Sequence, residues 1–188
     1  METYKCLKSL KYEDDDYSIV SLREQDIYKI KDWRNAQMDV LRQNKKLTDN
    51  DQEIYFKQAI LPTFSQNYPK QILFSFLKSK KCIGYGGLTN IDWESKRGEM
   101  SFLVDKELTK NDEIYTNLFI SYIKLLKIVT FEELKFNRLF TETFDIRPLH
   151  ISILETCGFH FEGKMKQHVL INDKFVDSLI HGFLKEYY

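Results

Sequence analysis

The spacing of apolar and polar positions changes several times along the chain, and each change marks a structural element. Alternation at every second position over residues 17–22 predicts a first strand. Apolar residues at helical spacing predict a helix over residues 27–35. A second helix is expected to begin at Thr48 and Asp49, which are good N-terminal caps, and to end at Pro62, which cannot continue a helix.

The second half of the chain alternates between strand-like and helix-like segments. The predicted elements, in order, are strands over 71–77, 82–88 and 98–104, a helix over 112–131, a strand over 138–144, a helix over 148–157, and strands over 159–169 and 175–184. Short polar turns join the first three of these strands, which predicts an antiparallel meander. Gly158 is a typical helix stop, and Asn172-Asp173 is a typical turn.

Composition and length indicate one domain with a sizeable core. The chain has 188 residues, of which 43% are apolar and 30% are charged, and these are ordinary values for a globular protein. Residues 1–188 are therefore expected to form a single domain, with residues 1–14 as a candidate flexible or peripheral segment. No internal repeat or low-complexity linker divides the chain.

Charge and cysteine usage exclude several classes of function. The 28 Lys and Arg residues balance the 28 Asp and Glu residues, so a dedicated nucleic-acid binder is not expected. Three unpaired cysteines are typical of a reducing compartment. No apolar segment suggests a signal peptide or a membrane span, which predicts a cytoplasmic protein without a membrane partner. The histidines and cysteines lack metal-ligand spacing, so no metal is expected.

Four local motifs in the right order resemble the GNAT superfamily of N-acetyltransferases. They are Trp33-Arg34-Asn35, the glycine-rich segment 82–88, the segment 98–104, and the segment 153–163 with its Gly-Phe-x-x-Glu-Gly ending. The first is similar to the branch of ribosomal-protein alanine acetyltransferases and nucleotide-aminosugar acetyltransferases. The resemblance spans nearly the whole chain and implies an α+β fold, with a central, mostly antiparallel twisted sheet, a splayed strand pair and flanking helices.

The resemblance implies acetyl-CoA as the donor and a pantetheine arm in the gap between the splayed strands. The residues that would hold the cofactor fall on the strand before the gap, on the loop and first turn of the long helix, and at the next helix. They are Ser101, Phe102, Leu103, Val104, Lys110, Asn111, Asp112, Glu113, Ile114, Tyr115 and Arg147. The gap is expected near Phe102 and Thr141.

The phosphate loop departs from the pattern of the superfamily. Glu113 and Tyr115 stand where small residues are usual, and a residue other than glycine forced into a left-handed conformation costs about 1–2 kcal/mol. A carboxylate at Glu113 about 4 Å from a phosphate would cost roughly 1–4 kcal/mol, depending on the local dielectric. We therefore expect weakened cofactor binding; the alternative is an ordinary capped helix start rich in acidic residues. The tyrosine that relatives often use as general acid is replaced by Leu154.

Amine acetylation needs a group that takes the proton of the acceptor. The candidate bases are Glu142, Glu99 and His150. Each has a structural alternative: Glu142 as a cross-strand partner of a lysine, Glu99 as a solvated strand residue, and His150 as a packed core residue. The resemblance also places Trp33, Arg34 and Asn35 beside the acceptor, where an arginine can hold a phosphate or carboxylate. The alternative is a core Trp33 and a surface Arg34.

The expected function is acetyl-CoA-dependent N-acetyl transfer onto a small primary amine, with a nucleotide-linked aminosugar as the first acceptor class. Two alternatives stay open at this point. One is acetylation of a protein N-terminus, and the other is a non-catalytic ligand-binding or interaction protein that has lost the phosphate-loop glycines. A homodimer is compatible with the resemblance, because relatives often pair through their sheets.

Overall fold

The computed structural model describes residues 3–188, which form one eight-stranded sheet flanked by four main helices. The strands are β1 (Lys11–Asp14), β2 (Tyr17–Ser21), β3 (Ile72–Lys78), β4 (Lys81–Asp92), β5 (Arg97–Val104), β6 (Arg138–Phe144), β7 (His160–Ile171) and β8 (Lys174–Leu184). The helices are α1 (Ile27–Ala36), α2 (Asp49–Tyr55), α3 (Asp112–Lys127) and α4 (Pro148–Thr156). The predicted order of elements is confirmed from β2 onward.

The sheet has the order β1-β2-β3-β4-β5-β6-β8-β7 and is antiparallel except at one place. Strands β5 and β6 are parallel neighbours, and they pair only at Arg97↔Arg138, Gly98↔Leu139 and Glu99↔Phe140. Beyond these three pairs the two strands separate. This confirms the predicted fold class, including the splayed strand pair.

The N-terminal segment is part of the fold, which corrects the expectation of a flexible or peripheral segment for residues 3–14. Strand β1 pairs with β2 along its whole length and adds an eighth strand to the sheet. Tyr4 is fully buried, and its hydroxyl donates to the carbonyl of Leu73 (3.0 Å) and accepts from the N–H of the same residue (2.8 Å). The Tyr4 hydroxyl therefore provides a hydrogen-bond partner for both main-chain groups of Leu73 in β3.

The two faces of the sheet are covered by different helices. Alternate residues of β5 point to opposite faces, and Phe102 stacks on Phe119 of α3 with ring centroids 4.5 Å apart. Ser101, on the other face, lines a cavity together with Ile30 and Arg34 of α1. Helices α3 and α4 thus cover one face, and α1 and α2 cover the other.

Helix α3 is the longest of the four helices, and it continues as a π-helical segment over Ile128–Glu133. By length and composition alone the stretch Asp112–Glu133 could span a membrane, which the sequence analysis did not anticipate. In the fold, 61% of its apolar window is buried against the sheet. The apolar composition is accounted for by this packing.

Replacing Tyr4 with phenylalanine tests whether the N-terminal segment is integral to the fold. The ring would still fill its site, but the N–H of Leu73 would lose its partner, whereas the carbonyl would keep the N–H of Leu22 at 3.0 Å. Leaving such a buried group unsatisfied costs about 1–3 kcal/mol, so we expect Tyr4→Phe to lower the free energy of unfolding by about that amount in denaturant titrations.

Tyr28→Phe is the matched control, because its hydroxyl makes an exposed hydrogen bond to Glu53. We expect that variant to change the free energy of unfolding by less than about 0.5 kcal/mol. Equal stability of the Tyr4→Phe and Tyr28→Phe proteins would contradict the described packing of residues 3–14.

Candidate active site

The separation of β5 and β6 opens a cavity of about 290 Å³ that passes between the two strands. One wall carries residues of β5, the other carries residues of β6, and α1, α4 and the loop after α1 close the ends. The lining side chains are mostly polar or charged. They include Arg34, Arg42, Asn90, Glu99, Phe102, Thr141, Glu142, Arg147 and His150.

The main chain of β5 directs every second residue toward this cavity. The N–H of Asp105 donates to the carbonyl of Ile83, which fixes the alternation of the antiparallel ladder with β4. In such a ladder every second residue directs its N–H and C=O to the partner strand, so Ser101 and Leu103 face β4. The main-chain groups of Met100, Phe102 and Val104 therefore face the gap.

Two carboxylates and one guanidinium meet at the mouth of the gap. Glu99 is the last β5 residue that pairs with β6, and Glu142 lies two residues beyond its partner Phe140. Arg42, from the loop between α1 and α2, contacts both: its Nη2 lies 3.0 Å from Oε1 of Glu99 and 2.5 Å from Oε2 of Glu142. Asn90 donates to the other oxygen of Glu99 at 2.5 Å.

A β-bulge aims the Asn90 side chain. The register between β4 and β5 shifts between Thr89 and Asp92, and Asn90 adopts a φ of 46°. Asparagine tolerates this left-handed conformation better than most residues do, and bulges commonly redirect side chains next to functional sites. Glu99 is consequently held by two donors, and its side chain is only 9% exposed.

Glu142 is bound less completely than Glu99. Its side chain is only 13% exposed, and its Oε1 is buried but accepts no hydrogen bond within residues 3–188. The nearest cationic candidate is Nε2 of His168 on β7, at 3.7 Å. A buried carboxylate oxygen without a donor is costly, and it can accept a proton or an N–H from a bound molecule.

His150 lies beneath the gap rather than at its mouth. Its ring stacks on Phe119 with centroids 4.2 Å apart, and the Tyr115 hydroxyl contacts its Nδ1 at 2.7 Å. Arg147 donates to the oxygen of Tyr115, so the tyrosine proton points to the histidine. Burial, helped by the charges of Arg147 and His181, keeps the pKa of His150 well below 6.5. With Nδ1 already occupied, this geometry argues against His150 as the general base.

The start of α3 has an ordinary capped geometry, contrary to the strain expected from the missing glycines. Asn111 has a φ of −116°, and its side chain accepts from the N–H of Ile114 at 3.0 Å. None of the described residues with positive φ falls within 105–115. The N–H groups of Asp112 and Glu113 remain available at the positive end of the helix, where anions bind.

The side chains of this helix start divide between solvent and core. Lys110, Asp112 and Glu113 are exposed, and Lys110 pairs with Glu107 at 2.7 Å. Tyr115 turns inward and is only 4% exposed, so it fills space below the gap instead of crowding a phosphate. The residues fit a pantetheine arm along β5 and a phosphate at α3, with Glu113 as the unfavourable charge.

Of the Trp33-Arg34-Asn35 motif, only Arg34 reaches a cavity. Trp33 belongs to the core at 8% exposure. Asn35 ties down the following loop, because it donates to the carbonyl of Leu47 at 2.8 Å and accepts from its N–H at 2.8 Å. Arg34 donates to the hydroxyl of Tyr85 at 2.5 Å and lines both the gap and a neighbouring cavity.

The neighbouring cavity, of about 270 Å³, lies between the sheet and helices α1 and α2. It shares Arg34, Thr89 and Ser101 with the gap, so the two spaces are direct neighbours. Its other walls are mixed, with apolar residues beside hydrogen-bonding ones. These are Leu22, Ile30, Leu47, Asp51, Gln52, Tyr55, Gln71, Leu73 and Tyr85.

The sequence analysis missed Met100, Asn90 and Tyr85 as site residues. Met100 could have been found from strand alternation, whereas no local signal marks Asn90 or Tyr85, which act only through contacts made in the fold. Among residues 3–188, no cluster of three or more His, Cys, Asp or Glu side chains could hold a metal ion.

The buried histidine predicts a pH dependence of stability. Because its folded-state pKa is lowered, the unfolded chain binds a proton below pH 6.5 that the folded chain does not, so His150 destabilises the fold as pH falls. We expect His150→Gln to lose less unfolding free energy than wild type between pH 7.5 and 5.5, by about 1.4 kcal/mol per pH unit below 6.5. Denaturant titrations at each pH measure the unfolding free energy, and His160→Gln is the control at an exposed histidine. If the unfolding free energy of wild type and of His150→Gln changed equally with pH, the prediction would be wrong.

Comparisons with known proteins agree with this architecture. The spermidine N-acetyltransferase of Vibrio cholerae, solved with CoA and spermine, superposes with a TM-score of 0.78 at 16% identity, covering 92% of this chain and 98% of that one. A dodecameric structure of the Vibrio cholerae enzyme gives 0.76 at 17% identity, covering 93% and 97%. A probable acetyltransferase gives 0.72 at 18%, covering 95% and 98%. At these identities the likeness shows the fold.

The family model for the acetyltransferase (GNAT) domain matches residues 19–180, from β2 to β8. This confirms the superfamily, and with it an N-acetyltransferase that uses acetyl-CoA as its donor. The narrower branch of ribosomal-protein and aminosugar acetyltransferases stays a prediction. With its splayed strands, capped phosphate helix and carboxylates at the opening, the chain belongs to the GNAT acetyltransferases.

Proposed function

We propose that this protein transfers the acetyl group of acetyl-CoA directly to a small primary amine. The observation that carries the proposal is the pair of acidic side chains, Glu99 and Glu142, at the mouth of the gap between β5 and β6. A protonated amine is attracted to such a pair, and it must lose its proton before it can attack a thioester. The two carboxylates can therefore both attract the amine and accept its proton at the mouth of the gap.

Glu142 is the better candidate for the proton acceptor. Both oxygens of Glu99 are already occupied, because they accept from Arg42 and Asn90. Glu142 has a buried oxygen without a donor, and His168 lies beside it at 3.7 Å as a route for the proton toward solvent. Glu99 then serves to hold the amine rather than to deprotonate it.

The main chain of β5 supplies hydrogen-bond donors for the negative charge that develops on the thioester oxygen. When bound, acetyl-CoA brings a thioester carbonyl whose carbon is attacked by the amine. The N–H groups of Phe102 and its alternate neighbours face the gap, where they can donate to the developing negative charge. No tyrosine is among the residues that line this gap, consistent with Leu154 at the usual position. Arg147 lines it and carries a positive charge that can stabilise a leaving thiolate.

The acceptor class that the charges favour is a small cationic amine such as a polyamine. Two carboxylates at the opening attract an ammonium group, and the structural neighbour from Vibrio cholerae is a spermidine/spermine N-acetyltransferase. The mixed second cavity offers room for the rest of the molecule, with hydrogen-bonding groups at Gln52, Tyr55 and Gln71.

A nucleotide-linked aminosugar remains the second candidate because of Arg34. Its guanidinium borders both cavities and is held in place by Tyr85 and Gln43, so it can receive a phosphate. A protein N-terminus is a third class, which a peptide substrate tests. The proposal of a non-catalytic protein loses its main support, because the helix start of α3 holds no left-handed residue despite the missing glycines.

Glu142→Gln should abolish most of the acetyl transfer. We expect kcat to fall by about 100-fold or more, the usual contribution of a general base. The measurement is release of free CoA thiol with a panel of spermidine, a UDP-linked aminosugar and an alanine-starting peptide as acceptors. The acceptor with the highest kcat/KM identifies the substrate class.

Glu186→Gln, in the exposed C-terminal turn, is the matched control and should leave the rate unchanged. Glu99→Gln should act mainly on KM, since that carboxylate holds the amine. Full activity of Glu142→Gln would refute its role as the base, and the absence of CoA release with every acceptor, in wild type, would refute the proposed function.

Glu113→Gln should tighten the binding of acetyl-CoA. Like charges about 4 Å apart repel by about 1 kcal/mol in water, which corresponds to a dissociation constant lower by roughly fivefold at low salt. Isothermal titration at 20 mM and 300 mM salt checks this, and the difference should shrink at the higher salt as screening increases. Glu94→Gln, at the opposite end of β5, is the control; no change for Glu113→Gln would place the phosphates elsewhere.

A further inference from the structure

The guanidinium of Arg42 lies where the acceptor amine is expected to bind. It reaches from the loop after α1 across the opening and contacts both Glu99 and Glu142, which are 57 and 100 residues away in the chain. Its side chain remains 53% exposed, whereas the two carboxylates are nearly buried. The arginine thus covers the acidic pair from the solvent side.

The loop that carries Arg42 is anchored at its ends and lightly held in its middle. Gln37, at the end of α1, donates to the carbonyl of Val104 at 2.8 Å, and the main chain of Leu47 is held by Asn35. Between them, Gln43 contacts Arg34 and Asn35. Within the described hydrogen bonds and ion pairs, only the two carboxylates hold the Arg42 side chain.

A guanidinium and an ammonium compete for the same partners. Both are cations that donate to carboxylate oxygens, so the oxygens that Arg42 holds are not open to an ammonium while the arginine stays in place. Glu142 directs only Oε2 to Arg42, and its buried Oε1 has no donor. An acceptor amine that displaces Arg42 has three N–H donors and can donate to this oxygen as well.

Space for a displaced Arg42 exists beside the site. A cavity of about 530 Å³ separates the loop from the hairpin of β7 and β8, and it is lined by Arg42 itself. The remaining walls come from loop residues such as Leu41 and Asn44 and from hairpin residues such as Leu170 and Asn172. The guanidinium can turn into this space without unfolding the loop.

We propose that Arg42 is a built-in occupant of the acceptor-ammonium site, which a cationic amine must displace before it can be acetylated. This rests on the proposed function, because it assigns the acidic pair to the acceptor. Arg42 is a specificity-determining residue in this role: it sets the concentration of amine at which the site is filled, and it excludes weakly basic or neutral acceptors that cannot compete.

The test separates KM from kcat. With spermidine as acceptor and saturating acetyl-CoA, Arg42→Gln should lower the KM for the amine by roughly tenfold, a change that corresponds to about 1.4 kcal/mol. Arg42→Lys keeps a competing cation and should stay within about threefold of wild type. Arg97→Gln removes an exposed arginine of β5 that pairs with Asp92, and it is the control for total charge.

Direct binding provides a second readout that does not depend on turnover. Titration of spermidine into the protein without donor should show a dissociation constant for Arg42→Gln about tenfold below that of wild type and of Arg97→Gln. A higher KM and weaker binding in Arg42→Gln would overturn the proposal, since Arg42 would then hold the acceptor. Unchanged values would overturn it equally.

The outcomes also distinguish the two proposals. If wild type and all variants acetylate none of the amines, the proposed function fails. If wild type acetylates spermidine and Arg42→Gln has the same KM, the function stands and only the competition by Arg42 fails. Thermal unfolding of each variant confirms that the comparison is made between folded proteins, and Arg42→Met, which also removes the cation and should lower KM to the same extent, provides the test should Arg42→Gln be unstable.

Discussion

The site depends on one interruption of hydrogen bonding: the parallel strands β5 and β6 pair at three positions and then separate. A fully zipped pair would satisfy the main-chain groups of Met100 and Phe102 internally and leave no passage through the sheet. Because the pair opens, those groups face a cavity, and side chains from both faces of the sheet reach it. Arg34 enters from the α1 face and His150 from the α4 face, so the gap joins two layers that the sheet otherwise keeps apart.

A site built from main-chain groups tolerates change in side chains. The donors of Phe102 and its neighbours follow from strand alternation and not from residue identity. The start of α3 shows the same principle, since Asn111 caps an ordinary helix and the outward N–H groups persist without the usual glycines. This explains how neighbours with 16–18% identity keep the same architecture. The side chains at the mouth, in contrast, are free to set the acceptor.

The elements of this fold could be predicted where hydrophobic periodicity was strong, and the site only in part. Helix α3 and the meander carry clear patterns, whereas Lys11–Asp14 is short and mostly polar, and it becomes a strand only because β2 offers an edge. The inward turn of Tyr115 depends on the space beside His150, which no local pattern records. The link from Arg42 to Glu142 joins residues 100 positions apart, so sequence spacing could name the carboxylates but not their partner.

The two carboxylates at the mouth of the gap are hydrogen-bonded to different extents. With Arg42 in place, Glu99 is fully hydrogen-bonded, while Glu142 keeps one buried oxygen without a donor. This open oxygen is the one that takes the proton of the amine in the proposed function. The bulge at Asn90 contributes a donor that fixes the position of Glu99. In the proposed function, the two carboxylates take different tasks because their hydrogen-bond donors differ.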